Sequence, residues 1–304
     1  MGLPFDKLVN AFKTGVDAQR ASDQPVRVSV YVDDTASTLL VSIARDALVP
    51  QTTTGLVRVA RLDGAEDPRH DTDVAIVLTN GSSRLEAACH RLVVAGIPTV
   101  IVAEDAEAAP FVVGDSPMLG VIAASDSTVL LDRLARWILD RTDKTPAFAA
   151  NFPFMRSVAA RGIVISASAS NAATGALVLI PGADYPVMTL AQVGMMLKLA
   201  SMYDKPLRID RLYDAAGVAV AGLALRSVSR ALSSRAGRGA FAVKALVGGC
   251  GTAAMGYCLC QLYQRDFDYG PINHIVLRLF EGLRRVDEDF APATDSPVAT
   301  VSNE

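Results

Sequence analysis

The sequence predicts an α/β protein: a mainly parallel, doubly wound sheet in its N-terminal half, then an all-α, Gly/Ala-rich helical half. Short β-branched runs, Val26 to Val32, Val74 to Leu78 and Ile97 to Ala103, alternate with stretches of helical spacing. Strand and helix in alternation build βαβ units and a parallel sheet. After about residue 142 the strand signals stop, and long apolar runs rich in Ala, Ser and Gly follow.

Taken in order, Leu8, Val9, Phe12 and Val16 set a lead helix within residues 3–20, followed by a polar link over 21–25. The first strand, Val26 to Val32, ends in Asp33-Asp34-Thr35. Asp34 or Thr35 is expected to cap a helix running to about Leu48, with Leu39, Leu40, Ile43 and Leu48 facing inward. Leu56 to Leu62 alternates as a strand, and Asp63 to Thr72 is a charged loop. Val74 to Leu78 is apolar throughout, as in a strand covered on both faces. Asn80-Gly81-Ser82-Ser83 is expected to cap a helix ending at Ala95-Gly96, where glycine supplies a left-handed residue. Ile97 to Ala103 and Leu119 to Ala123 complete the sheet. Asp126 starts a helix carrying Leu130, Leu134, Trp137 and Ile138.

Asn151-Phe152-Pro153-Phe154 reads as a linker elbow. A helix from Val158 to Ile180 breaks at Pro181-Gly182. The apolar helix Met188 to Tyr203 is stopped by Asp204-Lys205-Pro206. Asp210 is expected to cap a helix to about Leu232, and Ser233 to Arg238 to form a basic turn. Gly239 to Tyr263 contains a single charge, Lys244. A last helix, Pro271 to Arg285, gives way to an acidic tail with the composition of disorder. The expected division is a lead helix and linker (1–25), a Rossmann-like domain (26–142), a helical domain (151–286) and the tail (287–304).

Two domains of ordinary size fit 304 residues. Hydrophobic residues reach 51% and charged residues only 20%, against a usual charged share of about 25%. Such a chain has either a large core or a surface that meets lipid or a partner. A net charge of −3 and a pI near 5.7 give no basic excess to neutralise phosphates, so no nucleic acid is expected. Cys250, Cys258 and Cys260 have the wrong spacing for zinc, and Cys89 stands apart. His70, His90 and His274 complete no tetrahedral set, so no metal is expected and the cysteines read as buried thiols. The first residues lack the basic-then-apolar pattern of a secretory leader, and no Ser or Thr follows Gly2 where myristoylation needs one. The expected location is the cytoplasm.

In a doubly wound sheet a ligand sits beyond the carboxyl ends of the strands. A phosphate loop there needs glycines, whose amides wrap the anion, and a lysine. No glycine and no lysine occurs between Asp33 and Thr54, and two carboxylates stand where phosphates would approach. The weak candidates for binding are Asp33, Asp34, Thr35, Ser37 and Thr38. The two acids could take Mg²⁺ through oxygen, whereas Asp ahead of a helix more often caps it. No cofactor and no catalytic residue is expected. His90 reads as structural, and Ser166, Ser168 and Ser170 lack the G-x-S-x-G setting of a nucleophile.

Two resemblances add to this. Ser37-Thr38-Leu39-Leu40 resembles the start of the helix after a P-loop, and Asp73 to Leu78 the strand after a switch region. Gly96 to Val102 resembles the strand leading to the guanine-specificity motif, but Ala103-Glu104-Asp105-Ala106 supplies neither its Asn nor its Lys. The half thus resembles a degenerate GTPase domain, and an ordinary Rossmann-like sheet fits the pattern as well. Pro181 to Met196, Leu199 to Tyr203 and Gly249 to Gly256 resemble the YcjF-like domain of unknown function found fused to Era-like GTPases and in inner-membrane proteins. That resemblance implies a GTPase-linked or membrane-associated factor and carries no catalytic residue.

Gly248, Thr252, Gly256 and Cys260 recur every four residues, a face of small side chains for close helix packing. Lys244, Arg161 and Asn171 interrupt the runs that would otherwise span a bilayer. Gln192 is expected to be a satisfied internal hydrogen bonder, and Met188, Met195, Met196 and Met202 to fill core. The first expectation is a non-enzymatic accessory or adaptor protein with a protein partner, such as a GTPase, in the cytoplasm or attached at the inner face of the cell membrane. Self-association is compatible with it. The rivals are a nucleotide switch or NTPase using the Asp33–Thr38 turn, and an integral membrane protein with a helical hairpin.

Overall fold

The computed structural model describes residues 5–63, 68–112, 114, 116–177, 184–205 and 210–265. The expected Pro181-Gly182 break, the 271–285 helix and the acidic tail lie outside the described residues.

Five strands, β1 (Val26–Val32), β2 (Gly55–Arg61), β3 (Val74–Leu78), β4 (Thr99–Ala103) and β5 (Leu119–Ala123), form one sheet in the order β2-β1-β3-β4-β5. Every neighbouring pair is parallel. Strand side chains alternate between two cores. Val26, Val28, Val30, Ile76, Leu78, Val100 and Val102 meet α2 (Thr38–Ala47) and α4 (Ser127–Leu139) on one face. Tyr31, Ala75, Val77 and Ile101 meet α3 (Leu85–Val94) on the other. Helices on both faces of a parallel sheet make it doubly wound, as the uninterrupted apolar run of β3 requires.

The helix starts differ from expectation in an informative way. Asp33 turns inward, and Ala36 N–H bonds the Asp33 carbonyl at 2.9 Å, closing a turn over residues 33–36. The helix therefore begins two residues late, and its cap is Ser37, whose Oγ accepts from Leu40 N–H at 3.2 Å, not Asp34 or Thr35. Leu39 consequently faces outward while Leu40 and Leu48 are buried. At α3 the expected Asn80–Ser83 cap is absent: Arg84 holds the cap position without a side-chain bond. The Asn80 side chain instead accepts from Glu104 N–H at 3.3 Å, reaching the end of β4. The α3 C-terminus behaves as expected. Ile97 N–H bonds Leu92 O and Gly96 N–H bonds Val93 O, a Schellman closure that uses Gly96 at φ 79°. Asp126 caps α4 through Val129 N–H at 2.9 Å.

The elbow is a buried joint, not an exposed linker. α5 (Thr145–Asn151) and a 3-10 turn (Pro153–Met155) place Phe148, Phe152 and Met155 in the sheet core, fully enclosed, while Ala149 belongs to the helical core. Asn151 Nδ2 donates to Ala147 O, and its Oδ1 accepts from Thr52 at 2.8 Å. Arg156 donates to Ala149 O and Ala150 O and lies 5.5 Å from the Tyr203 ring centre. That one guanidinium ends α5, begins α6 and meets the end of α7.

Beyond the joint every described element is helical: α6 (Arg156–Leu177), α7 (Asp184–Met202), α8 (Asp210–Ala236) and α9 (Ala240–Gln264). α1 (Phe5–Ser22) packs against α5 and α7. The turn expected at 233–238 shrinks to the 3-10 residues Gly237–Gly239, because α8 continues to Ala236. α6 and α9 pack through small residues. A Cβ on Gly175 would stand 2.7 Å from Lys244 O, and one on Gly248 2.9 Å from Asn171 O. Gly248, Thr252 and Gly256 are all buried in this seam.

Candidate functional site

With the strand order β2-β1-β3-β4-β5, the chain reverses direction across the sheet between β1 and β3. Ligands of doubly wound folds lodge beyond the strand ends at such a switch point. Asp33 follows β1 and Thr79 follows β3, so the topology brings them side by side. Asp33 is buried. Its Oδ2 accepts from Thr79 Oγ1 at 2.6 Å and from Thr35 Oγ1 at 2.8 Å. Each threonine then uses its own oxygen as an acceptor. Asn80 N–H bonds Thr35 Oγ1 at 3.1 Å, and Gly81 N–H bonds Thr79 Oγ1 at 3.0 Å.

The consequence is chemical. Two backbone amides at this crevice, the groups that would cradle a phosphate, are bound by hydroxyls, and both hydroxyls are bound by one carboxylate. Burial pushes the Asp33 carboxyl up, but donation from Thr79 and Thr35, aided by Ser82 and the Asp34 backbone, outweighs it and holds the group below its usual range. Ser82 Oγ acts by proximity, since it is enclosed without a hydrogen bond of standard geometry among the described residues. Asp33 is therefore a stable anion. Asp34, Glu104, Asp105 and Glu107 are exposed along the same edge. This rim repels a polyanion.

Of the expected residues, the structure joins Asp33 and Thr35, uses Ser37 as a helix cap and leaves Asp34 and Thr38 exposed. It adds Thr79, which sequence reasoning missed. The signal was available, since Thr79 ends the apolar run of β3 and the parallel order sets that end beside β1. Among the described residues no group of three or more His, Cys, Asp or Glu is placed to hold a metal. His90 is exposed on α3. The cysteines depart from expectation: only Cys89 is fully buried, its thiol pushed up to about 12 by burial, while Cys250 and Cys258 are exposed on α9.

The helical half has its own polar centre. Thr252 Oγ1 accepts from Asn171 Nδ2 at 2.8 Å and from Gln192 Nε2 at 3.1 Å, all three residues being buried. Gln192 is thus only half satisfied: Gln192 Oε1, Asn171 Oδ1 and Thr189 Oγ1 are enclosed without partners among the described residues. A cavity of about 40 Å³ adjoins Thr189 and Gln192, lined also by Gly175, Arg226, Lys244 and Gly248 among others. One water needs roughly 10–15 Å³, so this space is large enough for solvent and far too small for a nucleotide. Met195, Met196 and Met202 fill core, as expected.

No protein family, curated protein or solved structure matches the chain.

Proposed function

We propose that this protein is a non-enzymatic accessory factor, attached to a membrane through its helical half and working beside a protein partner of the GTPase class. The observation that carries the non-enzymatic part is the self-bonded switch point. Asp33, Thr35 and Thr79 occupy the amides of Asn80 and Gly81, and the acidic rim disfavours phosphate. A nucleotide would have to break four of these hydrogen bonds and approach a buried anion. The GTPase partner rests on the resemblance of the helical half.

Membrane attachment is supported by exposure. α8 and α9 each contain a stretch long and apolar enough to cross a bilayer, Tyr213–Ala236 and Ala240–Gln264, and only 11% and 28% of an 18-residue apolar window in each is buried in the protein. Core helices of soluble proteins are mostly buried, which separates these two from the ordinary case. They also carry a second reading, an integral hairpin.

Isothermal titration with GTP, ATP and Mg²⁺ tests the first part. No saturable heat is expected up to millimolar nucleotide, and micromolar affinity for any of them would overturn the proposal. Alkaline carbonate extraction of native membranes tests the second. Release into the supernatant is expected for surface attachment, and retention in the pellet identifies a spanning hairpin.

A further inference from the structure

The distribution of charge in the helical half specifies what kind of surface it meets. No Asp or Glu occurs from Ala215 to Gln264, whereas Arg226, Arg230, Arg235, Arg238 and Lys244 fall in that stretch. α8 and α9 bring Arg226, Arg230, Arg235 and Lys244 towards one end of the bundle. Gly175 meets Lys244, Asn171 meets Gly248 and Val164 meets Gly256, so α6 and α9 are antiparallel. Met188 meets Gly248 and Met195 meets Gly256, so α7 runs alongside α9. Asp214 bonds Tyr263, and Leu225 meets Gly251, so α8 is antiparallel to α9. One end of the bundle is therefore formed by the C-termini of α6 and α8 and the N-termini of α7 and α9. The joint with the sheet lies at the other end, about 30 Å away at 1.5 Å per helical residue.

The basic end is also apolar. Leu177 is 76% exposed, Leu246 64% and Phe241 61%, and Val187, Val228 and Leu232 are exposed beside them. Isolated exposed apolar residues need no explanation, but a cluster at one end of a bundle, with Arg230 and Arg235 exposed on α8 at the same end, does. Exposed Leu and Phe with Arg and Lys around them match the boundary between headgroups and acyl chains, where the apolar groups bury shallowly and the cations meet phosphates. A spanning hairpin would require this basic end to cross the bilayer, against the retention of Lys and Arg on the near side.

We infer that the α6/α8 C-terminal and α7/α9 N-terminal end of the bundle docks on a bilayer rich in anionic lipid, with Phe241, Leu232 and Leu246 at the acyl boundary and Arg230 and Arg235 on lipid phosphates. This deepens, and rests on, the reading that the helical half attaches to a membrane. It adds the lipid class and the contact surface.

The test is flotation of the full chain with vesicles of phosphatidylcholine alone and of phosphatidylcholine with phosphatidylglycerol, at low and at 1 M salt. Binding to the anionic vesicles is expected, reduced at 1 M salt, where screening shortens to about 3 Å. Arg230→Gln with Arg235→Gln should weaken it roughly 30-fold, since each cation near an anionic surface contributes about fivefold. Arg230→Lys with Arg235→Lys keeps the charge and should retain binding, which separates loss of recognition from loss of folding. Phe241→Ala should weaken binding to both vesicle types. Equal flotation with neutral and anionic vesicles overturns the lipid assignment while leaving membrane attachment intact. Flotation with neither, by chain that is folded by circular dichroism, overturns both. A dimer in solution that Phe241→Ala dissolves also overturns the inference, because the face then joins two copies of the chain. Vesicle binding that resists carbonate replaces docking with insertion.

Discussion

The carboxyl edge of the sheet and the far end of the helical bundle are opposites in charge and in how they use polar atoms. At the sheet edge Asp33 gathers two hydroxyls and, through them, two amides, and the surrounding exposed groups Asp34, Glu104, Asp105 and Glu107 are acidic. At the bundle end the charges that α8 and α9 bring are basic, large apolar side chains face outward, and the polar centre of the bundle leaves Gln192 Oε1 and Asn171 Oδ1 without partners among the described residues. The net charge of −3 averages the two and conceals both. The difference teaches that a fold with a ligand-binding topology can occupy the polar groups of that crevice with its own side chains.

The largest effect should come from the joint that holds the two regions together. Phe148 is fully buried in the sheet core, and its neighbour Ala149 belongs to the helical core. Phe148→Ala should cost about 3–5 kcal/mol, and because α5 serves both cores, Trp137 fluorescence and far-ultraviolet circular dichroism should shift together in urea. Separate transitions would mean that the two halves are independent, and would break the comparison at its root.

A smaller effect is expected at the helical polar centre. Thr252→Val removes the single oxygen that accepts from both Asn171 and Gln192. Gln192 Nε2 loses its acceptor while Asn171 Nδ2 keeps the Met188 carbonyl at 3.3 Å, for a loss of about 1–3 kcal/mol in chemical denaturation. An unchanged midpoint would show that solvent in the adjoining cavity already supplies the bonds.

The smallest effect should appear at Asp33, and it depends on pH. Its folded carboxyl titrates below its unfolded value, near 3.9, so its contribution to stability is complete above about pH 4 and is lost as pH falls through the folded value. Asp33→Asn carries no titrating proton. The variant's melting temperature should therefore fall less than that of the natural chain between pH 4 and pH 2. Parallel pH curves would show that the carboxylate is not held as an anion by Thr35 and Thr79.

Much of the architecture was legible in the sequence. β3 and β4 announced themselves as apolar runs, Gly96 marked a helix end through its need for positive φ, and Asp126 marked a helix start. The four-residue recurrence of Gly248, Thr252 and Gly256 marked the close-packing face of α9, and the structure supplies α6 as its partner. What was not legible depends on neighbours remote in the chain. Asp33 abandons the cap because Thr79, from another strand, offers its hydroxyl, and only strand order reveals that meeting. Asn80 abandons α3 for the end of β4 for the same reason. Cys250 and Cys258 lie in an apolar run, yet they are exposed because α9 spends its small face, not its whole circumference, on packing. Phe152-Pro153 has the composition of a linker, but its two flanking phenylalanines, Phe148 and Phe154, are drawn to the sheet core.

The central claim, that the switch point is closed to nucleotides by its own side chains, is tested most directly by the amide resonances of Asn80 and Gly81 in a ¹H–¹⁵N spectrum. With millimolar GTP and Mg²⁺ added, both should stay in place, since Thr35 and Thr79 already occupy them. A saturable shift of these two amides, abolished when Thr79 is replaced, would contradict the account.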